Sequence, residues 1–169
     1  MSEGKTRNET TITQPDDVTV RIEREFEAPR ELVWECWSDP DLLKEWMGPR
    51  YLTITVEEYD FRPGGNWKYI HSDTEGNEYV FHGEFLEIEE PERLSQTFTY
   101  VMDPPIPPSI DKAEFIEIDG GTRTRVVTVS TFESKELRDG MVQSGMEKGV
   151  NEGNERLDEL LARRQAGAL

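Results

Sequence analysis

The last long segment of the chain, Glu133 to Arg164, limits the possible folds more than any other. It reads ESKELRDGMVQSGMEKGVNEGNERLDELLARR. At about 100° per residue, Val142, Gly145, Met146, Gly149, Gly153, Leu157 and Leu160 fall on one stripe, with Val150 and Leu161 at its edge. Lys148, Glu152, Glu155 and Glu159 fall on the opposite side. An apolar stripe at a helical period, backed by charge, predicts an amphipathic helix. Ser134 is placed as its N-cap, with Glu136 in the first turn, where the helix dipole favours a carboxylate. Arg163 and Arg164 lie at the far end, where it favours cations.

The stripe is uneven. Its C-terminal half is leucine, but its N-terminal half is Gly145, Gly149 and Gly153, at steps of four. A glycine inside a helix destabilises it by roughly 0.5–1 kcal/mol relative to alanine, so glycines repeated on one face need a structural reason. One reason is close approach, the helix backbone lying flat against a sheet with no side chains between. The other is space, a bare helix over a curved sheet leaving a hollow for a ligand, with Gly145 and Gly149 supplying the room. Both can hold at once.

The rest of the chain provides the sheet. Residues 1–17 are polar and aperiodic and read as a flexible arm. Val18 to Glu27 sets Val18, Val20, Ile22 and Arg24 against Thr19, Arg21, Glu23 and Glu25, a strand with one buried face. Pro29 then starts a helix with Leu32, Val33, Trp34, Cys36 and Trp37 at helical spacing. Asp39-Pro40 breaks it and opens a second short helix, which Gly48-Pro49 ends. A meander of strands follows at 51–61, 66–72, 78–89, 92–101, 110–119 and 122–132, separated by turns and by the stiff loop MDPPIPP. This order predicts an α+β domain over 18–164 with a short tail at 165–169. Its sheet is a curved, seven-stranded antiparallel one that can bury its concave face only by gripping the terminal helix. There are no repeats and no second domain.

Charge narrows the partners. Acidic residues outnumber basic ones 36 to 19, a formal net charge of −17, so nucleic acid and anionic membranes are expected not to bind. Arg outnumbers Lys 13 to 6, and an acidic, lysine-poor surface suits high salt, where screening removes self-repulsion. The single cysteine, Cys36, excludes a disulfide framework and reads as a small buried apolar residue. With no run of membrane-span length and no signal-peptide core, the chain reads as soluble and cytoplasmic. It is expected to be a monomer, or a homodimer through an exposed edge strand.

Catalytic signals are sparse. The only histidines, His71 and His82, lie on different strands, with His82 expected to be exposed. No spacing matches a zinc site, a phosphate-cradling loop or a nucleophile elbow, so neither metal nor cofactor is expected, and His71 is the one candidate base. The aromatics say more. Trp67, Tyr69 and His71 share one face of their strand, and Leu94, Gln96, Phe98 and Tyr100 share one face of theirs. The Val126-Thr128-Ser130-Phe132 face adds hydroxyls. Directed inward, these residues make apolar walls with a few polar tips, the usual lining of a small-molecule site. An ordinary core, each polar tip finding a backbone partner, is the other reading. Trp46 either plugs the end of that core or stands at the mouth of a pocket.

The stretches WMGP at 46–49, FRPGGNWKY at 61–69, HGEFLEIEEPERLSQTF at 82–98 and TFESKELRDGMVQSGMEKGVNEGNERLDELLA at 131–162 carry a resemblance. Together they resemble the family homologous to the C-terminal domain of the activator of the heat-shock-protein-90 ATPase, in the START-like (SRPBCC) helix-grip superfamily. The resemblance covers about residues 18–162 and is most specific at SGMEKG…RLDELLA. It implies a curved antiparallel sheet around the C-terminal helix. It also implies the superfamily's theme, a small hydrophobic molecule held between sheet and helix, with Trp46, Trp67, Tyr69, His71, Phe98 and Tyr100 as lining here. Two other functions follow from it: a stress-related partner of a heat-shock-protein-90 chaperone, and a cyclase- or hydrolase-like enzyme using His71 with an inward hydroxyl.

Overall fold

The alternating segments become strands. The computed structural model describes residues 9–167. In chain order it contains β1 (Thr11–Thr13), β2 (Thr19–Phe26), α1 (Arg30–Ser38), α2 (Pro40–Leu43), β3 (Thr53–Tyr59), β4 (Asn66–Ser72), β5 (Glu78–Glu89), β6 (Arg93–Tyr100), β7 (Ser109–Ile118), β8 (Arg123–Thr131), α3 (Lys135–Gln143) and α4 (Met146–Gly167). One antiparallel sheet runs in the order β1-β2-β8-β7-β6-β5-β4-β3, so the meander from β3 to β8 closes onto β2. This is the helix-grip order that the sequence predicts.

Three expectations are corrected. The arm assigned to residues 1–17 contains a strand. Residues 1–8 lie outside the described residues, but Thr11–Thr13 pairs antiparallel with β2 through Thr11–Glu23, Ile12–Ile22 and Thr13–Arg21, an eighth strand at the sheet edge. A segment this short shows too little alternation to be recognised. The long terminal helix is also two helices. Ser134 caps α3 as expected, its hydroxyl accepting from the Leu137 N–H at 3.2 Å. At the other end of α3 the Ser144 hydroxyl donates to the Met141 carbonyl at 2.6 Å, and Gly145 turns left-handed at φ 92°. A glycine just past a helix C-cap is the usual carrier of that conformation. Helical periodicity cannot reveal the break, because the apolar stripe continues across it. Finally, α4 runs on to Gly167, into the stretch read as a tail, and the Gln165 side chain donates to the Glu27 carbonyl at 2.9 Å.

The register separates two ends of the sheet. At one end lie the tail of β2, the heads of β6 and β8, and the 62–65 turn, and there the core is closed. Phe26, Trp34, Phe85, Phe115, Leu157 and Leu161 are all buried there, with Trp34 edge-on to Phe115 at 5.1 Å. Cys36 is buried among them, as expected. The leucine half of α4 serves this end. The helix is also tied down by charge. Buried Arg24 on β2 holds Asp158 of α4 through two bonds of 2.7 Å, and Arg138 of α3 donates to the Asp16 carbonyl at 2.6 Å.

On the opposite flank α4 leans on the link between α2 and β3. The Arg156 guanidinium donates to the carbonyls of Glu45 at 2.8 Å, Met47 at 3.3 Å, Gly48 at 3.2 Å and Pro49 at 3.4 Å. Irregular backbone leaves such carbonyls without a ladder, so one planar cation closes the link. Arg156→Ala is expected to lower stability by about 2 kcal/mol, and Arg156→Lys to recover less than half of that, because a point donor cannot fork. Urea unfolding of both variants is the check. An unchanged midpoint for Arg156→Ala would mean that the link holds without its cation.

Candidate functional site

Cross-strand pairing brings most of the expected aromatics together. Trp67, Tyr69 and His71 on β4 stand opposite Gly83, Phe81 and Tyr79 on β5, and Phe81 stands opposite Tyr100 on β6. Paired residues share a face. The rings then touch in a chain. Tyr69 stacks on Trp67 at 4.6 Å, Trp67 meets Phe98 at 5.7 Å, and Phe98 meets Phe81 at 5.4 Å. Phe81 in turn stacks on Tyr100 at 5.0 Å and meets His71 at 4.7 Å. Phe81, the hub of this chain, is not among the residues expected from sequence. In VFHGEF the alternation runs into His82 and Gly83, and its only signal is the register with Tyr100.

His71 is buried and His82 exposed. Desolvation lowers the His71 pKa to about 4, so the ring is neutral at ordinary pH. Among the described residues the imidazole forms no side-chain hydrogen bond with a hydroxyl, the pairing that base or nucleophilic catalysis needs. Burial also pushes the Tyr69 hydroxyl up. Among the described residues the Trp67 indole N–H, wholly enclosed, has no acceptor.

Three expected residues lie elsewhere. Trp46 belongs to the closed end: it is buried, its indole N–H donates to the Cys36 carbonyl at 2.9 Å, and its ring lies 5.3 Å from Trp37. Gly145 is exposed in the break between helices, where an added Cβ would meet nothing, so it opens no space over the sheet. At Gly149 a Cβ would come 3.5 Å from Pro49, and at Gly153 one would come 3.3 Å from the Trp46 carbonyl oxygen and the Gly48 nitrogen. Gly149 and Gly153 therefore serve close approach, but to the Trp46–Pro49 link and not to the sheet.

The other end of the sheet is polar and less covered. Gln96 on β6, Asp111 on β7 and Ser130 on β8 pair in one row across the concave face, with Ile22, Thr128 and Ala113 in the next row and Ser109 beside Phe98. Ile22, Gln96, Phe98, Asp111, Thr128 and Ser130 all belong to the face turned toward the helix yet remain only half-buried. So do Val142, Met146 and Val150 on the helices that leave β8 at this end. The leucine half of the grip is sealed, and this half is covered less completely.

Asp111 is the inward carboxylate of that row. The Ser109 hydroxyl lies 3.5 Å from its Oδ1. Crowding by surrounding atoms pushes its pKa up to about 6, and hydrogen bonds from Ser130 and Ser109 pull it partly back. Among the described residues no Lys or Arg contributes to that balance. Sequence reasoning passes over it because the strand IDKAEFIEI carries acids on both faces, Asp111 and Glu117 on one and Glu114 on the other. Two surface clefts lie outside the grip. One of about 390 Å³ follows β3 beside Pro40 and Lys44, and one of about 440 Å³ lies between α1 and Glu90. Neither contains an expected site residue.

The family of activator of Hsp90 ATPase homolog 1-like proteins matches residues 27–162. The chain belongs to that family. Among solved structures, a Mycobacterium smegmatis protein is 29% identical, with 90% of this chain and 97% of that one covered and a TM-score of 0.80. An Arthrobacter aurescens protein is 28% identical, with 90% and 91% covered and a TM-score of 0.81. A Rhodobacter sphaeroides protein is similar in fold, with a TM-score of 0.83 at 23% identity over 92% and 99% of the two chains. No protein of curated function matches. Membership in the activator-of-Hsp90-ATPase-like family accounts for the sheet, the paired short helices and the gripped helix. Among the described residues no helix is long and apolar enough to cross a membrane.

Proposed function

We propose that the protein is a ligand-binding module that takes one small hydrophobic or aromatic molecule between the sheet and the start of α4. The observation that carries this reading is the unequal closure of the concave face. The residues facing α1, α2 and the leucines of α4 are sealed, whereas Ile22, Gln96, Phe98, Thr128 and Ser130 stay partly exposed on a face that the fold would otherwise bury, and we read the space over them as a chamber. Apolar surface left uncovered in a concavity favours an apolar guest by about 25 cal/mol per Å² removed from water. The neutral His71, with no hydroxyl hydrogen-bonded to it among the described residues, favours binding over catalysis.

The test is titration with N-phenyl-1-naphthylamine, a neutral apolar fluorophore, beside native mass spectrometry for a co-purifying molecule. One probe per chain is expected, with binding at least about tenfold weaker in Thr128→Phe, which fills the chamber, and with little change in melting temperature. Absence of binding, or binding indifferent to Thr128→Phe, overturns the proposal. A chain that binds no probe and instead accelerates a heat-shock-protein-90 ATPase would replace it with chaperone partnership.

A further inference from the structure

We infer that Asp111 selects the charge of the guest, so that the chamber takes an apolar or aromatic molecule carrying a protonated amine. This rests on the chamber reading above and adds to it the chemical class. Asp111 stands on the concave face in the middle of the sheet, in register with Gln96 on one side and Ser130 on the other. Among the described residues its close side-chain donors are serine hydroxyls, one of them at the long distance of 3.5 Å. A carboxylate can accept about four hydrogen bonds, and one removed from water without a cation is costly. Two buried arginines elsewhere in the fold are neutralised by carboxylates. Arg24 is met by Asp158, and Arg123 by Glu25, Glu27 and Asp119. Among the described residues Asp111 has serine hydroxyls and no cation as side-chain partners, and its residue is only partly buried.

The surroundings suit an ammonium with an apolar body. Phe98 lies in register with Ser109, two residues from Asp111 on the same face, and leads into the Trp67–Tyr69 stack. An ammonium placed against the carboxylate gains a charge-assisted hydrogen bond, and aromatic faces beside it add cation–π attraction. The same carboxylate repels fatty-acid-like anions. Molecules of the same shape should therefore rank cation first, neutral alcohol second and anion last.

Three indoles of matched shape test this: tryptamine, tryptophol and indole-3-acetate. Their affinities are measured in 1 M KCl, where a screening length of about 3 Å removes attraction to the acidic surface at large. Tryptamine is expected to bind at least about tenfold tighter than tryptophol, and indole-3-acetate weakest. In Asp111→Asn, which keeps shape and a hydrogen-bond acceptor, the advantage of tryptamine should fall to about twofold or less while tryptophol is unchanged. Equal binding of tryptamine and tryptophol, or a preference that survives Asp111→Asn, overturns the inference. If tryptophol and the naphthylamine probe bind but charge makes no difference, the anchor alone falls. If none of these molecules binds, the chamber falls and the anchor with it.

Discussion

Gly83→Ala is expected to cost at least about 3 kcal/mol, lowering the melting temperature by about 10 °C or abolishing the fold. Gly83 sits on β5 directly opposite Trp67. A methyl group there would lie on the Thr97 carbonyl oxygen of β6 and 2.7 Å from Cζ2 of the Trp67 indole. Neither neighbour can give way. The carbonyl is backbone in the middle of the sheet, and the indole is held between Tyr69 at 4.6 Å and Phe98 at 5.7 Å. Relief requires β5 and β6 to part or the aromatic chain to unstack. Gly140→Ala is the matching control. It lies in α3, and an added Cβ there meets nothing within 4 Å. Ordinary helix propensity then predicts a gain of about 0.5–1 kcal/mol. Thermal unfolding of the two variants should move in opposite directions. A Gly83→Ala protein within about 1 kcal/mol of the parent would show that the ring and strand yield far more easily than their packing implies.

Where one face of an element is buried and the other wet, the sequence is easily read. It predicts β5 at Glu78–Glu89 and β4 at Asn66–Ser72, and both have those bounds. Alternation also places Trp67, Tyr69 and His71 on one face, and Phe98 and Tyr100 on another that the ring contacts join to it. Long-range geometry is not readable in this way. Gly149 and Gly153 do meet a close neighbour, but no local pattern says that it is the link after α2 and not the sheet. Gly145 shares their spacing and has a different role, since a left-handed turn and a helix-interior glycine look alike in a string of residues. Asp111 is hidden for a further reason. Its importance comes from its register with Gln96 and Ser130 on neighbouring strands, which only the paired sheet displays.

Asp111 and His71 should have opposite effects on the pH dependence of stability, and single variants should expose each. Burial raises Asp111 from 3.8 to about 6 and lowers His71 from 6.5 to about 4. For Asp111 the folded state holds the proton more tightly than the unfolded state. Its stabilising contribution is full below pH 3.8 and is lost as pH rises through about 6. For His71 the unfolded state holds the proton more tightly. Its contribution is full above pH 6.5 and is lost as pH falls towards about 4. Between about pH 4 and 6 the folded chain keeps a proton on Asp111 that the unfolded chain has released, while the unfolded chain keeps one on His71. The two terms cancel there, and stability is nearly flat with respect to this pair. Asp111→Asn removes one side of the balance. Relative to the parent it should be little changed near pH 4 and more stable by up to about 3 kcal/mol at pH 8, since each pKa unit is worth about 1.4 kcal/mol. His71→Phe should instead gain stability over the parent as pH falls from about 7 to 5. The sequence pI near 4.5 makes about pH 5 to 8 the practical range for urea unfolding. Taking the difference from the parent at each pH removes the contributions of the other carboxylates. A difference for Asp111→Asn that does not grow between about pH 5 and 8 would mean that its carboxylate is hydrated as in water. A chamber carboxylate without a guest would then have no reason to prefer a cation.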